Sequence, residues 1–346
     1  MDKILTVVIP TYNMEKLLDK CLTSLIVNDK ELMNQLEVLV VIDGAKDRSS
    51  EIAHSYETKF PNTFRVIDKE NGNYGSCVNR GLKEALGKYI KVLDADDWFD
   101  PKVFKEYLLF LSSIDCDMVL SSFNRVGENS EIIETTKWDL YEGNVFELQE
   151  LPLVNIEMHA ITYRTDILKN IDYKQTEGIS YTDTEWSVIP LPYINKCITF
   201  SLALYQYLVG RDGQTIQPSA FAKNYHQRVK ICYRLLDKLS KLSVENQAYD
   251  YICFKVWNYI ANDIYRLVLT NKQIIDISEL SNLDNYILTN NKVIYNNLES
   301  LVYSKKFPIH FVKRWRKGKS HHKDLLLYSY LLCSNIQKSF KMLLIE

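Results

Sequence analysis

Lys88-Tyr89-Ile90-Lys91-Val92-Leu93-Asp94-Ala95-Asp96-Asp97-Trp98-Phe99-Asp100-Pro101 is an apolar run of strand type that stops abruptly in a cluster of carboxylates. It reads as a strand that delivers acids to the edge of a sheet. Asp94, Asp96 and Asp97 repel one another and cannot all be buried bare, so they require a cation, a hydrogen-bond network or water. Carboxylate oxygens are hard ligands that suit Mg²⁺ or Mn²⁺, ions commonly shared with the phosphate groups of a substrate. The plainer alternative is a polar turn capping a helix that Pro101 begins, since Asp100 followed by Pro is a good N-cap and first-turn pair.

Upstream, the chain repeats one pattern. Ile4 to Ile9 is a short β-branched run that reads as a buried parallel strand, followed by a loop at Pro10-Thr11-Tyr12-Asn13. From Glu15 to Val27, Leu17, Leu18, Cys21, Leu22, Leu25 and Ile26 recur on one face at helical spacing. A second apolar run, Glu37 to Ile42, ends in the turn Asp43 to Ser50 and leads into another helix. A third, Phe64 to Ile67, is followed by the glycine-containing loop Glu70 to Ser76, a helix from Cys77 to Leu86, and the acid-tipped strand. Strand, loop and helix in this order predict a mostly parallel α/β sheet, whose ligands bind at the carboxyl ends of the strands.

The chain has 346 residues, 46% hydrophobic and 25% charged, with a formal net charge of −2. That length is enough for a large core, and the charge balance predicts no nucleic-acid partner. The 23 tyrosines suit sugar-facing or interface surfaces and equally the rim of a core. Cys21, Cys77, Cys116, Cys197, Cys232, Cys253 and Cys333 are odd in number, widely spread and without a Cys-x-x-Cys pair, so they read as reduced thiols. The N-terminal apolar run ends at Pro10, too early for a signal sequence, and no later run reaches the length of a membrane span. These features predict a cytoplasmic catalytic region.

Four strings together resemble the family 2 glycosyltransferases of GT-A fold. They are Val8-Ile9-Pro10-Thr11-Tyr12-Asn13; Val41-Ile42-Asp43-Gly44 with Asp47 and Ser49; Glu70-Asn71-Gly72 leading to Asn79-Arg80-Gly81-Leu82; and Leu93-Asp94-Ala95-Asp96-Asp97-Trp98. The resemblance covers roughly residues 4 to 216 and implies a Rossmann-like, mostly parallel sheet flanked by helices, a UDP-sugar donor and a divalent metal, Mn²⁺ or Mg²⁺. It implies that Pro10, Thr11, Tyr12 and Glu15 wall the base and ribose, with Asn71, Gly72 and Ala95 also at the nucleotide-sugar site. Asp43 would accept from the uracil imide, discriminating by leaving a buried group unpaired with a wrong base. Asp94 and Asp96 match the Asp-x-Asp pair, both on the metal, with Asp97 as a supporting or capping residue. Where the family often carries Arg before the asparagine of the third motif this chain has Val78, and Arg80 is the substitute.

Further along, Gly178 to Trp186 ends a loop and starts a helix, and Thr182 with Glu185 fits a capping box. By the resemblance Asp183, followed by the aromatic Trp186, is the general base, with Glu185 as the second candidate. By the same resemblance His159, within Met158 to Arg164, would border the donor sugar, the alternative being a structural histidine. Leu202 to Leu208 alternates like a strand and leads to Val209 through Ile216, a loop from which Arg211 closes over the diphosphate.

Beyond residue 217 the resemblance ends and the periodicity is helical at Tyr225 to Leu242, Tyr249 to Thr270 and Asp324 to Leu344. The chain is therefore expected to divide into a GT-A catalytic domain, 1–217, and an α-helical C-terminal region, 218–346. Residues 305–319 interleave basic and aromatic side chains, a pattern that suits peripheral contact with an anionic inner membrane face; the alternatives are a solvated helical face or a contact between copies of the chain in a homo-oligomer. The activity this implies is inverting, metal-dependent transfer from a UDP-sugar to a hydroxyl of a carbohydrate or lipid-linked glycan. A sugar nucleotidyltransferase and a non-catalytic carbohydrate-binding subunit are the alternatives, although the former calls for a glycine-rich, Arg-bearing loop where this chain has Pro10 to Asn13.

Overall fold

The computed structural model describes residues 2–211, 218–270, 277–304 and 307–318. Ten strands form one sheet: β1 (Leu5–Thr11), β2 (Leu36–Asp43), β3 (Phe64–Lys69), β4 (Tyr89–Val92), β5 (Trp98–Phe99), β6 (Met118–Val126), β7 (Ile132–Thr136), β8 (Phe146–Glu147), β9 (Ile161–Arg164) and β10 (Lys196–Leu208). Between them run α1 (Leu18–Thr23), α2 (Lys30–Gln35), α3 (Ser49–Lys59), α4 (Asn73–Glu84), α5 (Pro101–Ser113), α6 (Thr165–Asn170) and α7 (Asp183–Trp186).

β3, β2, β1 and β4 lie side by side and parallel. Every residue of β2 and β4 is buried, as continuous apolar strands covered on both faces should be. β1 sits between β2 and β4, so the strand order reverses there and a crevice opens at the carboxyl ends of β1 and β4. Beyond β4 the sheet becomes mixed. β9 enters antiparallel between β4 and β6, while β10 runs parallel to β6. The short strands β5, β7 and β8 pair antiparallel with β10, β6 and β10 respectively. Apolar runs such as β9 announce a buried strand but carry no sign of its direction, which is why the alternating pattern exposes only the parallel half.

The close approach of α4 to β1 depends on Gly81. A Cβ there would stand 2.3 Å from Val8 Cγ1 and 2.6 Å from Cγ2, and Val8 is fully buried in β1. Gly81→Ala is therefore expected to push α4 off the sheet and cost about 1–3 kcal/mol, the usual range for overpacking. Thermal unfolding checks this, and an unchanged melting temperature contradicts it.

The chain divides into two compact units: Met1–Gln214 with Leu242–Ile252, and Thr215–Lys241 with the chain from Cys253 onward. The segment 242–252 thus groups with the first unit, across the simple boundary that composition suggests at 217. In the remainder, α8 (Pro218–Ser240) and α9 (Tyr249–Asn258) realise the helical periodicity; α9 continues through a π-helical stretch, Tyr259–Arg266, into α10 (Leu267–Thr270). α11 (Ser278–Asn290), α12 (Lys292–Leu298), a hairpin of β11 (Val302–Ser304) and β12 (Phe307–His310), and α13 (Phe311–Gly318) follow. The helix expected over 324–344 and the loop over 212–217 lie outside the described residues, as does Cys333. Cys21, Cys77, Cys116, Cys197 and Cys232 are buried free thiols. No described helix is long and apolar enough to cross a membrane.

α13 corrects one expectation. Phe311 and Trp315 share a face, as their spacing predicts, but that face is turned inward: both are buried, and Trp315 packs edge-on against Tyr265. Arg316 is half-buried, its Nη2 2.7 Å from Asp284 Oδ1, and the Tyr265 hydroxyl donates to the same carboxylate. The aromatic residues are therefore committed to the core of this unit and are not free to insert in lipid. Lys313, Arg314 and Lys317 are the exposed cations of the helix.

Candidate active site

β4 ends at Val92, and Leu93 extends its pairing by one bond to Val8 O (3.0 Å) before the acids begin. The Asp97 N–H donates to Asp94 O, closing a turn that throws the two side chains inward. Asp94 Oδ1 accepts from the Tyr74 hydroxyl at 2.8 Å, and the Asp94 N–H donates to the Tyr205 oxygen. Tyr205 in turn donates to Asp97 Oδ2 at 2.6 Å, while the Leu208 N–H donates to Asp97 Oδ1 at 2.8 Å. Burial, then the charge of Asp96, raises the Asp94 carboxyl to about 6; burial and the neighbouring acids push Asp97 well above the ordinary carboxylate range.

His159 completes the cluster from a single 3₁₀ turn, Met158–Ala160, ahead of β9. Its ring stacks on Tyr207 at 4.2 Å, and its Nδ1 lies 3.6 Å from Glu157 Oε2, a carboxylate held by Arg125. Each of Asp94, Asp97 and His159 offers a ligand atom within 4.8 Å of the others. Two carboxylates and an imidazole gathered this closely make a donor set that fits Mn²⁺ or Mg²⁺. Asp96, expected beside Asp94 on the metal, instead accepts from Arg211 Nε at 2.9 Å. Arg211, expected over a diphosphate, is thus parked on Asp96, and Ala95 is the buried spacer between the two acids.

A proton on Asp94 and a divalent ion compete for the same oxygens. Mn²⁺ affinity is therefore expected to fall roughly tenfold per unit below about pH 6 for this one carboxyl, and Asp97, also raised by burial and its neighbours, adds to the fall. In the metal-free protein the sign for stability is the reverse. A raised carboxyl favours folding while protonated, so its contribution is lost as pH rises through about 6. Calorimetric titration with Mn²⁺ at several pH values checks the first statement, and a pH-independent affinity contradicts it.

Lys91 lies fully buried below the acids, donating to His159 O at 2.7 Å and Ile161 O at 3.1 Å, and burial lowers its amine to about 7. It ties β4 to the turn that carries His159. A lysine inside an apolar strand was the available signal for this; Tyr74 and Tyr205 gave none.

Asp43, at the carboxyl end of β2, is 3% exposed. Its Oδ1 takes Lys69 Nζ at 2.6 Å and the Gly72 N–H at 2.9 Å, and Asn71 Nδ2 donates to its backbone oxygen. The structure therefore brings Asp43, Asn71 and Gly72 together, as the motifs imply. Arg80 does not join them; its Nε is 2.9 Å from Glu84 one helical turn on, and the cation at Asp43 is Lys69. Asn79 pins the loop after α6 through bonds to Gln175 N and O. In the first loop, Pro10 is half-buried, Thr11 is buried with its hydroxyl on Ile9 O, and Tyr12 is exposed. Glu15 is turned to structural work, its Oε2 accepting from the Arg48 N–H ahead of α3.

Asp183 is exposed in the first turn of α7, and its charge adds to those raising Asp94 and Tyr74. The capping box expected here is not formed. Thr182 makes no side-chain cap bond, and Glu185, fully buried, accepts instead from Thr176 N and Oγ1, both at 2.7 Å. With its oxygens so committed, Glu185 is a structural acid and no longer a candidate base.

A parallel half-sheet with a reversal at β1, acids after β4 and a carboxylate after β2 define a GT-A nucleotide-sugar fold. Residues 6–171 match the glycosyl transferase family 2 model. It is 38% identical to the uncharacterized glycosyltransferase MG025 of Mycoplasma genitalium over 34% of its own length and 39% of that protein, so the match spans about two fifths of that relative. It is 24% identical to the uncharacterized glycosyltransferase YibD of Escherichia coli K12 over 92% of its length and 95% of that protein. Among solved structures, residues 1–349 of Staphylococcus aureus TarS in complex with UDP-GlcNAc superpose with a TM-score of 0.62 at 20% identity, covering 84% of this chain and 82% of that one.

Proposed function

We propose that the protein is an inverting glycosyltransferase that transfers a sugar from a UDP-sugar to a hydroxyl of a carbohydrate or lipid-linked glycan acceptor, with catalysis in the first unit. The observation that carries this reading is the convergence of Asp94, Asp97 and His159 at the end of β4, within electrostatic reach of the exposed Asp183. A UDP donor is supported by Asp43, a buried carboxylate that only accepts hydrogen bonds and so suits an N–H base edge. TarS, whose fold this chain shares, has been solved with UDP-GlcNAc.

In the reaction Asp183 takes the proton of the acceptor hydroxyl as its oxygen bonds to the anomeric carbon. The bond from that carbon to the β-phosphate oxygen breaks on the opposite face, so configuration inverts and UDP departs with the electron pair. Asp94, with His159 and the neighbouring acids Asp96 and Asp97 as the other candidate ligands, would hold a divalent ion, which when bound would supply charge stabilisation for the diphosphate. Tyr74 and Tyr205 hold Asp94 and Asp97 in place, and Arg211, released from Asp96, is the cation of the site best suited to phosphate oxygens. Incubating the purified protein with UDP-sugars, Mn²⁺ and candidate acceptors tests the proposal. Release of UDP supports it, whereas release of pyrophosphate or of neither product contradicts it.

A further inference from the structure

We infer that Lys69 is a positioning residue for base recognition, holding the Asp43 carboxylate turned so that it accepts from an N–H base edge. This rests on the reading of Asp43 as the base acceptor. Lys69 Nζ has three N–H bonds and three acceptors within reach: Asp43 Oδ1 at 2.6 Å, Glu70 O at 2.5 Å and Ser76 Oγ at 2.9 Å. Ser76 is itself fixed by donating to Asn73 O at 2.7 Å in the first turn of α4. An amine so fully engaged is not a spare cation for a phosphate; its effect is exerted through Asp43.

That effect is one of orientation. Lys69 and the Gly72 N–H converge on the same oxygen, Oδ1, which fixes the carboxylate's rotation and leaves Oδ2, clear of both donors, as the oxygen assigned to the base. The lysine comes from the end of β3 and the acid from the end of β2, paired in register as Asp43 and Lys69, so the sheet itself sets their distance.

The test is calorimetric titration of the full-length protein with UDP and with CDP, in the presence of Mn²⁺, for wild type, Lys69→Met, Lys69→Arg, Ser76→Ala and Asp43→Asn. Wild type is expected to prefer UDP over CDP by about tenfold or more, the effect of one mispaired buried group. Lys69→Met should bring that ratio to within about threefold of unity, and Lys69→Arg should restore part of it. Ser76→Ala, which loosens the amine but keeps the ion pair, should lower the ratio by a smaller factor and gives the reading should Lys69→Met fail to fold. A lysine that merely stabilises the fold would lower the melting temperature and leave the ratio alone; a wild-type ratio in folded Lys69→Met, or in Ser76→Ala where the former does not fold, overturns the inference. If Asp43→Asn itself leaves the ratio unchanged, the reading of Asp43 fails and takes the inference with it. Loss in Asp43→Asn with retention in Lys69→Met defeats the role of Lys69 alone.

Discussion

Replacing Asp94 and Asp96 together by asparagine is expected to lower UDP-sugar turnover by about three orders of magnitude, the scale of several kcal/mol of charge stabilisation withdrawn from a departing diphosphate. The fold should survive, because asparagine keeps the shape of each side chain and the Tyr74 hydroxyl still finds an oxygen at position 94. Single variants then divide the ligand set. If the ion rests on Asp94, Asp97 and His159, His159→Ala should weaken Mn²⁺ binding by about a hundredfold while Asp96→Asn mainly frees Arg211. If Asp94 and Asp96 hold it, the order of the two effects reverses. Turnover at the wild-type rate in the double variant, with metal present, would sink the assignment of this acid cluster to catalysis.

Asp183→Asn should separate binding from chemistry. The amide cannot take the acceptor proton, so transfer is expected to fall by roughly two to four orders of magnitude. UDP and Mn²⁺ affinity should stay within about twofold, since the exposed Asp183 acts on the donor cluster only through space and surface charges at such range interact weakly. The structure sharpens this prediction by removing the competitor: Glu185 is buried on Thr176, so Glu185→Gln should register in the melting temperature, as a broken buried network, and only indirectly in rate. Loss of donor affinity together with activity in Asp183→Asn would mark Asp183 as a binding residue.

Much of the first unit was legible in the chain. Buried parallel strands are written as continuous apolar runs, their ends as polar turns, and the intervening helices as period-3.6 faces, all of which are local. The acids after β4 and the glycine-flanked Asp43 after β2 therefore declared their places at the carboxyl edge, and Asn71 and Gly72 their approach to Asp43. Gly81 stood out within its helix, although only the packing of α4 on β1 explains it.

Which of those groups meet, and in what state, was decided by tertiary structure alone. Asp97 is held by Tyr205 from 108 residues away, Asp96 by Arg211 from 115, and His159 reaches the acids only because β9 inserts antiparallel beside β4. Thr182 and Glu185 have capping-box spacing, yet a buried carboxylate goes to the strongest donors it can reach, and the fold brings Thr176 to Glu185. The basic and aromatic pattern of α13 suits a membrane face, a solvated helical face or a contact between copies of the chain; the fold instead buried its aromatic face against Tyr265 and placed Asp284 beside Arg316. Periodicity fixes which residues share a surface, whereas the partner of that surface, and the charge of a group that lies on it, depend on chain segments that only folding brings within a few ångströms.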